Sequence, residues 1–165
     1  MSKDFDMIQR IQSLFLFLVA ISMITVTLTP IWLQVSPSQD QRMEMTAWHT
    51  RILELPQETI VSESNNMYIG ILAVLAAALA IYSLLQFKNR KRQLMLNMIN
   101  ALLMGFTLGL AVYSSYTSNE TFNPAVGGAF VLGFYSIIFA LIVNLIANRF
   151  IRKDEMLIRS VDRIR

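Results

Sequence analysis

The side chains in this sequence best placed to do chemistry are carboxamides in apolar surroundings. Gln86 ends one apolar stretch, Asn97 and Asn100 open the next, and Asn144 and Asn148 close another. Spacings of three and four put each Asn pair on one helix face. A buried amide needs a hydrogen-bonding partner, so two readings stand: a structural layer bonded between helices, or a polar pocket for a substrate. The materials for catalysis are thin elsewhere. Glu44, Glu54, Glu58 and Glu63 share one polar segment and could act as a base or bind a cation, but a solvated acidic face is the plainer reading. The only histidine, His49, lies in the same segment, which excludes a bis-histidine haem. Ser13, Ser22, Ser83 and Ser136 have no His or Lys base placed to activate them. No HExxH, phosphate-binding GK[ST] loop or GxSxG turn occurs. No catalytic, cofactor-binding or metal-binding residue is assigned, and no cofactor is expected.

The elements that must position the amides are four stretches free of Asp, Glu, Lys, Arg and His: residues 11–33, 67–87, 94–116 and 125–147. They explain the 55% hydrophobic and 15% charged composition and the mean hydropathy of +0.49. At ~1.5 Å per residue each would reach ~31–35 Å as a helix, enough to cross a hydrocarbon core of ~30 Å. Lys3 and Arg10 precede the first stretch as in a signal peptide. Its apolar run is too long for that role and no small-x-small site follows, so it is expected to stay as an anchor. The chain has no cysteine, which excludes disulfides, a lipoprotein anchor and thiolate metal sites.

Charge placement predicts the topology. The N-terminus, the loop 88–93 and the tail 148–165 hold twelve of the fourteen Lys and Arg, leaving only Arg42 and Arg51 for the other side. By the positive-inside rule both termini are cytoplasmic. The same placement accounts for the basic pI, so no nucleic-acid partner is expected. Short connections make spans two to four antiparallel neighbours. The expected fold is therefore an all-α membrane protein, a four-transmembrane-helix up-and-down bundle in a single integral membrane domain over residues 1–165. Its outer loop, 34–66, is a candidate for a small β-hairpin, and its cytoplasmic tail, 148–165, for an amphipathic helix. Trp32, Tyr68, Tyr113 and Tyr116 fall at the outer ends of the spans, where the headgroup layer suits them.

Small residues supply close packing: Ala73, Ala76, Ala77 and Ala80, the pair Gly105 and Gly109, and the pair Ala129 and Gly133. Ordinary packing within the bundle is the plainer reading, a dimerisation face the sharper one. In the tail, Leu157, Ile158, Val161 and Ile164 share an arc of a helical wheel. Asp154 is expected to cap a new helix there, separate from the last span. That apolar stripe needs a surface, either the inner leaflet or a protein.

Three cytoplasmic motifs resemble a known family. They are Met7-Ile8-Gln9-Arg10-Ile11-Gln12-Ser13, Arg90-Lys91-Arg92-Gln93-Leu94, and the closing run of Lys153-Asp154-Glu155, Leu157, Arg159-Ser160 and Asp162-Arg163-Ile164-Arg165. In these the chain is similar to the family labelled domain of unknown function 4293, over nearly its whole length. The resemblance implies a small four-span protein of the bacterial inner membrane with no established activity. The leading expectation is a non-enzymatic accessory or assembly subunit whose cytoplasmic face docks a protein partner or a second copy. The candidate docking residues are Arg10, Arg90, Arg92, Asp154, Glu155, Arg159, Asp162 and Arg163. The alternative is a small permease or lipid-handling protein, using Gln86, Asn97, Asn100, Asn144 and Asn148 as its intramembrane polar layer. An enzyme built on the acidic outer loop is a third, weaker reading.

Overall fold

In hydrocarbon, backbone N–H and C=O groups must bond within their own segment, and the apolar runs accordingly fold as helices. The computed structural model describes the backbone of residues 2–87 and 89–162, with side chains for 12–87, 89–153, 155 and 156. The chain runs α1 (Ser2–Leu28), β1 (Trp32–Val35), β2 (Gln41–Met45), β3 (His49–Glu54), β4 (Thr59–Asn65), α2 (Met67–Leu85), α3 (Arg90–Phe122), β5 (Ala129–Phe130) and α4 (Leu132–Asp162). Among the described residues, α2, α3 and the Leu132–Lys153 part of α4 are long and apolar enough to cross a bilayer. The apolar part of α1, Gln12–Leu28, is shorter. The chain is a membrane protein.

The expected all-α, four-transmembrane-helix bundle with a small hairpin is overturned by a five-stranded antiparallel sheet of order β4-β3-β2-β1-β5. Two of its strands were hidden inside apolar runs. Hydropathy counted Trp32 and Leu33 into the first span and Ala129 and Phe130 into the fourth. In the fold they leave the helices and pair with each other, Trp32 with Phe130 and Leu33 with Ala129. Composition cannot distinguish a buried strand from a buried helix over so few residues. The breakers are local. Pro30 lacks an N–H and α1 stops before it, and Gly127-Gly128 fall in the turn ahead of β5. The remaining strands form a meander, β1 on β2, β2 on β3 and β3 on β4.

Backbone hydrogen bonds weld the sheet to the helix ends. Ile31 N–H donates to the Met45 carbonyl at 2.8 Å, Val131 N–H to Ile31 at 3.0 Å and Gly133 N–H to Pro30 at 2.9 Å. Gly70 N–H, in the first turns of α2, donates to Ala47 at 2.9 Å, and Trp48 Nε1–H donates to the Thr27 carbonyl at 2.8 Å. Gly133 is required here, because a Cβ would stand 2.6 Å from the Pro30 carbonyl oxygen. Trp32 is not at a lipid interface as expected but is buried in β1, against Gly128. α1 and α3 thus finish, and α2 and α4 begin, at the sheet end. At the far end Phe15 of α1 stacks on Phe150 of α4 at 5.5 Å.

Helix packing follows the small-residue logic in part. Ala73, Ala76, Ala77 and Ala80 are all buried in the core with Val19, Ala20 and Met23 of α1. Gly105 and Gly109 are not in that core: no atom lies within 4 Å of a Cβ built on either, so this face of α3 points outward. α4 is also one continuous helix through residue 154, so the expected break and Asp154 cap do not occur. The side chains of Leu157, Ile158 and Val161, and Ile164 altogether, lie outside the described residues.

Candidate functional site

α3 is built inside out. Its buried positions are Gln93, Asn97, Asn100, Met104, Thr107, Ala111, Ser114, Ser115 and Ser118, spaced mostly by three and four. Its apolar side chains Met98, Leu102 and Phe106 are exposed. A soluble helix arranges these classes the other way round. With lipid outside, the arrangement is the favourable one, since dispersion and hydrogen bonding hold helices together there.

The far third of that stripe forms the amide layer. Asn97, Asn100 and Asn144 have no solvent exposure at all. Ser83 Oγ–H of α2 donates to Asn97 Oδ1 at 2.6 Å, and Gln93 Nε2–H donates to the Ser83 carbonyl at 3.2 Å. From α4, Asn144 Nδ2–H donates to the Asn97 carbonyl at 3.0 Å. Three helices therefore meet at Asn97. Gln12 Nε2, Gln93 Oε1, Asn97 Nδ2, both side-chain polar atoms of Asn100, Asn144 Oδ1 and Asn148 Oδ1 are buried without a protein partner among the described residues.

The structure brings Asn97, Asn100 and Asn144 together, with Asn148 half-buried one turn beyond. Gln86 stands apart as the C-cap of α2, its N–H donating to the Ser83 carbonyl at 3.1 Å. Gln93 was not assigned to the layer, yet both it and Ser83 belong to it. The spacing Gln93, Asn97, Asn100 carried the signal for Gln93. For Ser83 the signal was a hydroxyl near the end of a span, which Tyr82 beside it shared.

Of the candidate docking residues, Arg92 is exposed while Arg90 and Glu155 are half-buried at the far end. The side chains of Arg10, Asp154, Arg159 and Asp162, and Arg163 altogether, lie outside the described residues. Lys91, Arg149, Arg152 and Lys153 are also exposed at that end and enlarge the cationic face. The acids of segment 34–66 are largely spent within the sheet. Arg42 pairs with Glu58 at 3.1 Å and Glu44 at 3.5 Å, and Arg51 with Glu63 at 3.1 Å. His49 Nδ1 lies 3.9 Å from Glu63.

Residues 8–164 match the family described as Domain of unknown function (DUF4293). The chain belongs to this family. The family match runs through every element from α1 to α4, so the sheet as well as the helices falls inside it. No curated protein matches the chain.

Proposed function

We propose that this protein is a non-enzymatic accessory or assembly subunit of a bacterial inner-membrane complex, docking its partner through a cytoplasmic face. The supporting observation is the exposed cationic cluster of Lys91, Arg92, Arg149, Arg152 and Lys153 at the end of the helices opposite the sheet. At the sheet end the only two Arg are consumed in ion pairs. Orientation follows from that bias: the cationic end and both termini face the cytoplasm, and the sheet lies on the outer side. α1 then crosses as well, with Leu14, Phe17, Ile21, Ile24 and Leu28 turned to lipid and Leu16, Val19 and Met23 inward.

The cysteine-free chain gives a clean test. Ser38→Cys should react with a membrane-impermeant maleimide on intact spheroplasts, and Lys91→Cys only after permeabilisation. The reverse pattern would overturn the orientation. A photo-crosslinker placed at Lys91 or Arg152 in native membranes should give a protein adduct of discrete mass, lost when Arg92 and Arg149 are changed to Glu. Lipid adducts alone would overturn the docking role. A second reading, a small permease or lipid-handling protein, draws on the buried amide atoms of Gln12, Gln93, Asn100 and Asn144. It requires proteoliposomes to move a neutral polar solute or a lipid at a rate that Asn100→Leu reduces.

A further inference from the structure

At the sheet end the polar stripe of α3 opens into a cleft of about 340 Å³, toward the small end of the range for ligand sites, ~300–1,000 Å³. Its helix wall is Ser114, Thr117, Ser118 and Thr121, a run at i, i+3, i+4 and i+7 in which every side chain is a hydroxyl. Its sheet wall is one face of β3 and β4. Thr50 pairs with Ser64 and Ile52 with Ser62, so these four side chains point the same way. The intervening Arg51 and Glu63 point to the opposite face, where they bond to each other at 3.1 Å. No charged side chain lines the cleft.

The hydroxyls divide into two sets. Thr117 and Thr121 spend their protons on the carbonyls of Tyr113 and Thr117, leaving oxygen lone pairs free to accept. The hydroxyls of Ser62, Ser64 and Ser118 bond to no other described residue, although Ser118 is only 9% exposed. The cleft therefore offers donors and acceptors interleaved at close spacing. Two aromatic rings complete it. Tyr68 is fixed by its 2.7 Å hydrogen bond with Ser114, while Tyr113 is free at the rim, 67% exposed.

We infer that this cleft binds an uncharged glycosyl unit. A sugar ring presents vicinal hydroxyls, each both donor and acceptor, along its edge and an apolar C–H face that packs on tyrosine. An anionic headgroup would find no cation here, and charge-assisted bonds are what phosphate and carboxylate sites use. An extended peptide would pair with the free edge of β4 instead, but there the pairing steps from Ser62 to Ile60, so Val61 bulges out of register. The unit comes either from a soluble glycan or from a glycolipid headgroup, since the cleft lies where α3 runs past its apolar span.

The test uses the full chain in nanodiscs. Maltose binding is followed by saturation-transfer NMR. Monoglucosyl diacylglycerol binding is followed by native mass spectrometry, with phosphatidylglycerol as the comparison lipid. Binding of maltose identifies a soluble glycan as the source, and binding of the glycolipid alone identifies a headgroup. In either case Ser118→Val and Ser62→Val should each weaken binding by roughly tenfold, the effect of one lost hydrogen bond. Tyr113→Ala, at an exposed position, should do likewise without touching the core. Failure of both probes to bind, binding indifferent to all three substitutions, or preference for phosphatidylglycerol would each overturn the assignment. The docking face lies at the other end of the helices, so either proposal can fail alone.

Discussion

Replacing Gly70 by alanine tests the weld between sheet and helices most directly. A methyl group there would stand 2.5 and 2.6 Å from Cε3 and Cζ3 of the Trp48 indole, about 1 Å inside ordinary carbon–carbon contact. The ring has little freedom to retreat. Its Nε1–H is bonded to the Thr27 carbonyl at 2.8 Å, and the Trp48 carbonyl accepts from Asn66 N–H at 2.8 Å. Overpacking of this kind costs ~1–3 kcal/mol, and loss of the indole hydrogen bond ~0.5–1.5 kcal/mol. Better helix propensity returns up to ~1 kcal/mol, so the expected loss is about 2 kcal/mol. Gly105→Ala is the matched control: with nothing within 4 Å of its Cβ, only the propensity term acts and the protein should gain up to ~1 kcal/mol. Reversible unfolding in mixed micelles, followed by helical circular dichroism, measures both. Trp48→Leu in the Gly70→Ala background should recover part of the loss, giving a coupling of ~1 kcal/mol or more. A change within ~0.5 kcal/mol for Gly70→Ala, or equal destabilisation by Gly105→Ala, would refute the packing argument.

Two further outcomes follow from the site and from the turn between β1 and β2. Asn97→Leu removes the acceptor of the Ser83 hydroxyl and should destabilise by ~0.6–1.7 kcal/mol, the range for hydrogen bonds between membrane helices. Ser83→Ala should cost a similar amount, and the double variant less than the sum in the same unfolding assay. On the β1–β2 turn, O–H donation from Ser36 and then Ser38 holds the Asp40 carboxyl below its ordinary range. A depressed value means that the turn's contribution is present above the ordinary carboxylate pKa and is lost as pH falls through the lowered one. NMR titration should show the Ser36 and Ser38 resonances moving with Asp40 in that acidic window, and no such movement in Asp40→Asn.

The sequence carried some of this architecture and withheld the rest for identifiable reasons. Spans two to four were legible because hydrocarbon admits almost nothing but long uncharged helices, and α2, α3 and α4 obey that rule. The sheet was not, because Trp32-Leu33 and Ala129-Phe130 are as apolar as their helical neighbours and find each other across almost a hundred residues. Nothing local records such a pairing. The amides at Asn97, Asn100 and Asn144 were readable from spacing alone. Whether Tyr82 or Ser83 on α2 would meet them was not, since that depends on the rotation of one helix against another. Gly105 and Gly109 show the converse: a motif with a strong packing association that this fold turns outward.

β5 contributes two residues to the sheet, yet it decides when the sheet can be finished during synthesis. β1 to β4 emerge early, between α1 and α2, and can form their meander as soon as that segment has been made. The edge of β1 away from β2 stays open until α3 and the turn after it have been made. Gln34 then locks the closure, its amide donating to the Asn123 carbonyl at 2.9 Å and also to that of Val126. A chain stalled or cleaved after α3 would leave the β1 edge unpaired, the kind of open edge that invites pairing with another chain. Completion of the sheet thus waits on α3 and on the segment that leads into α4.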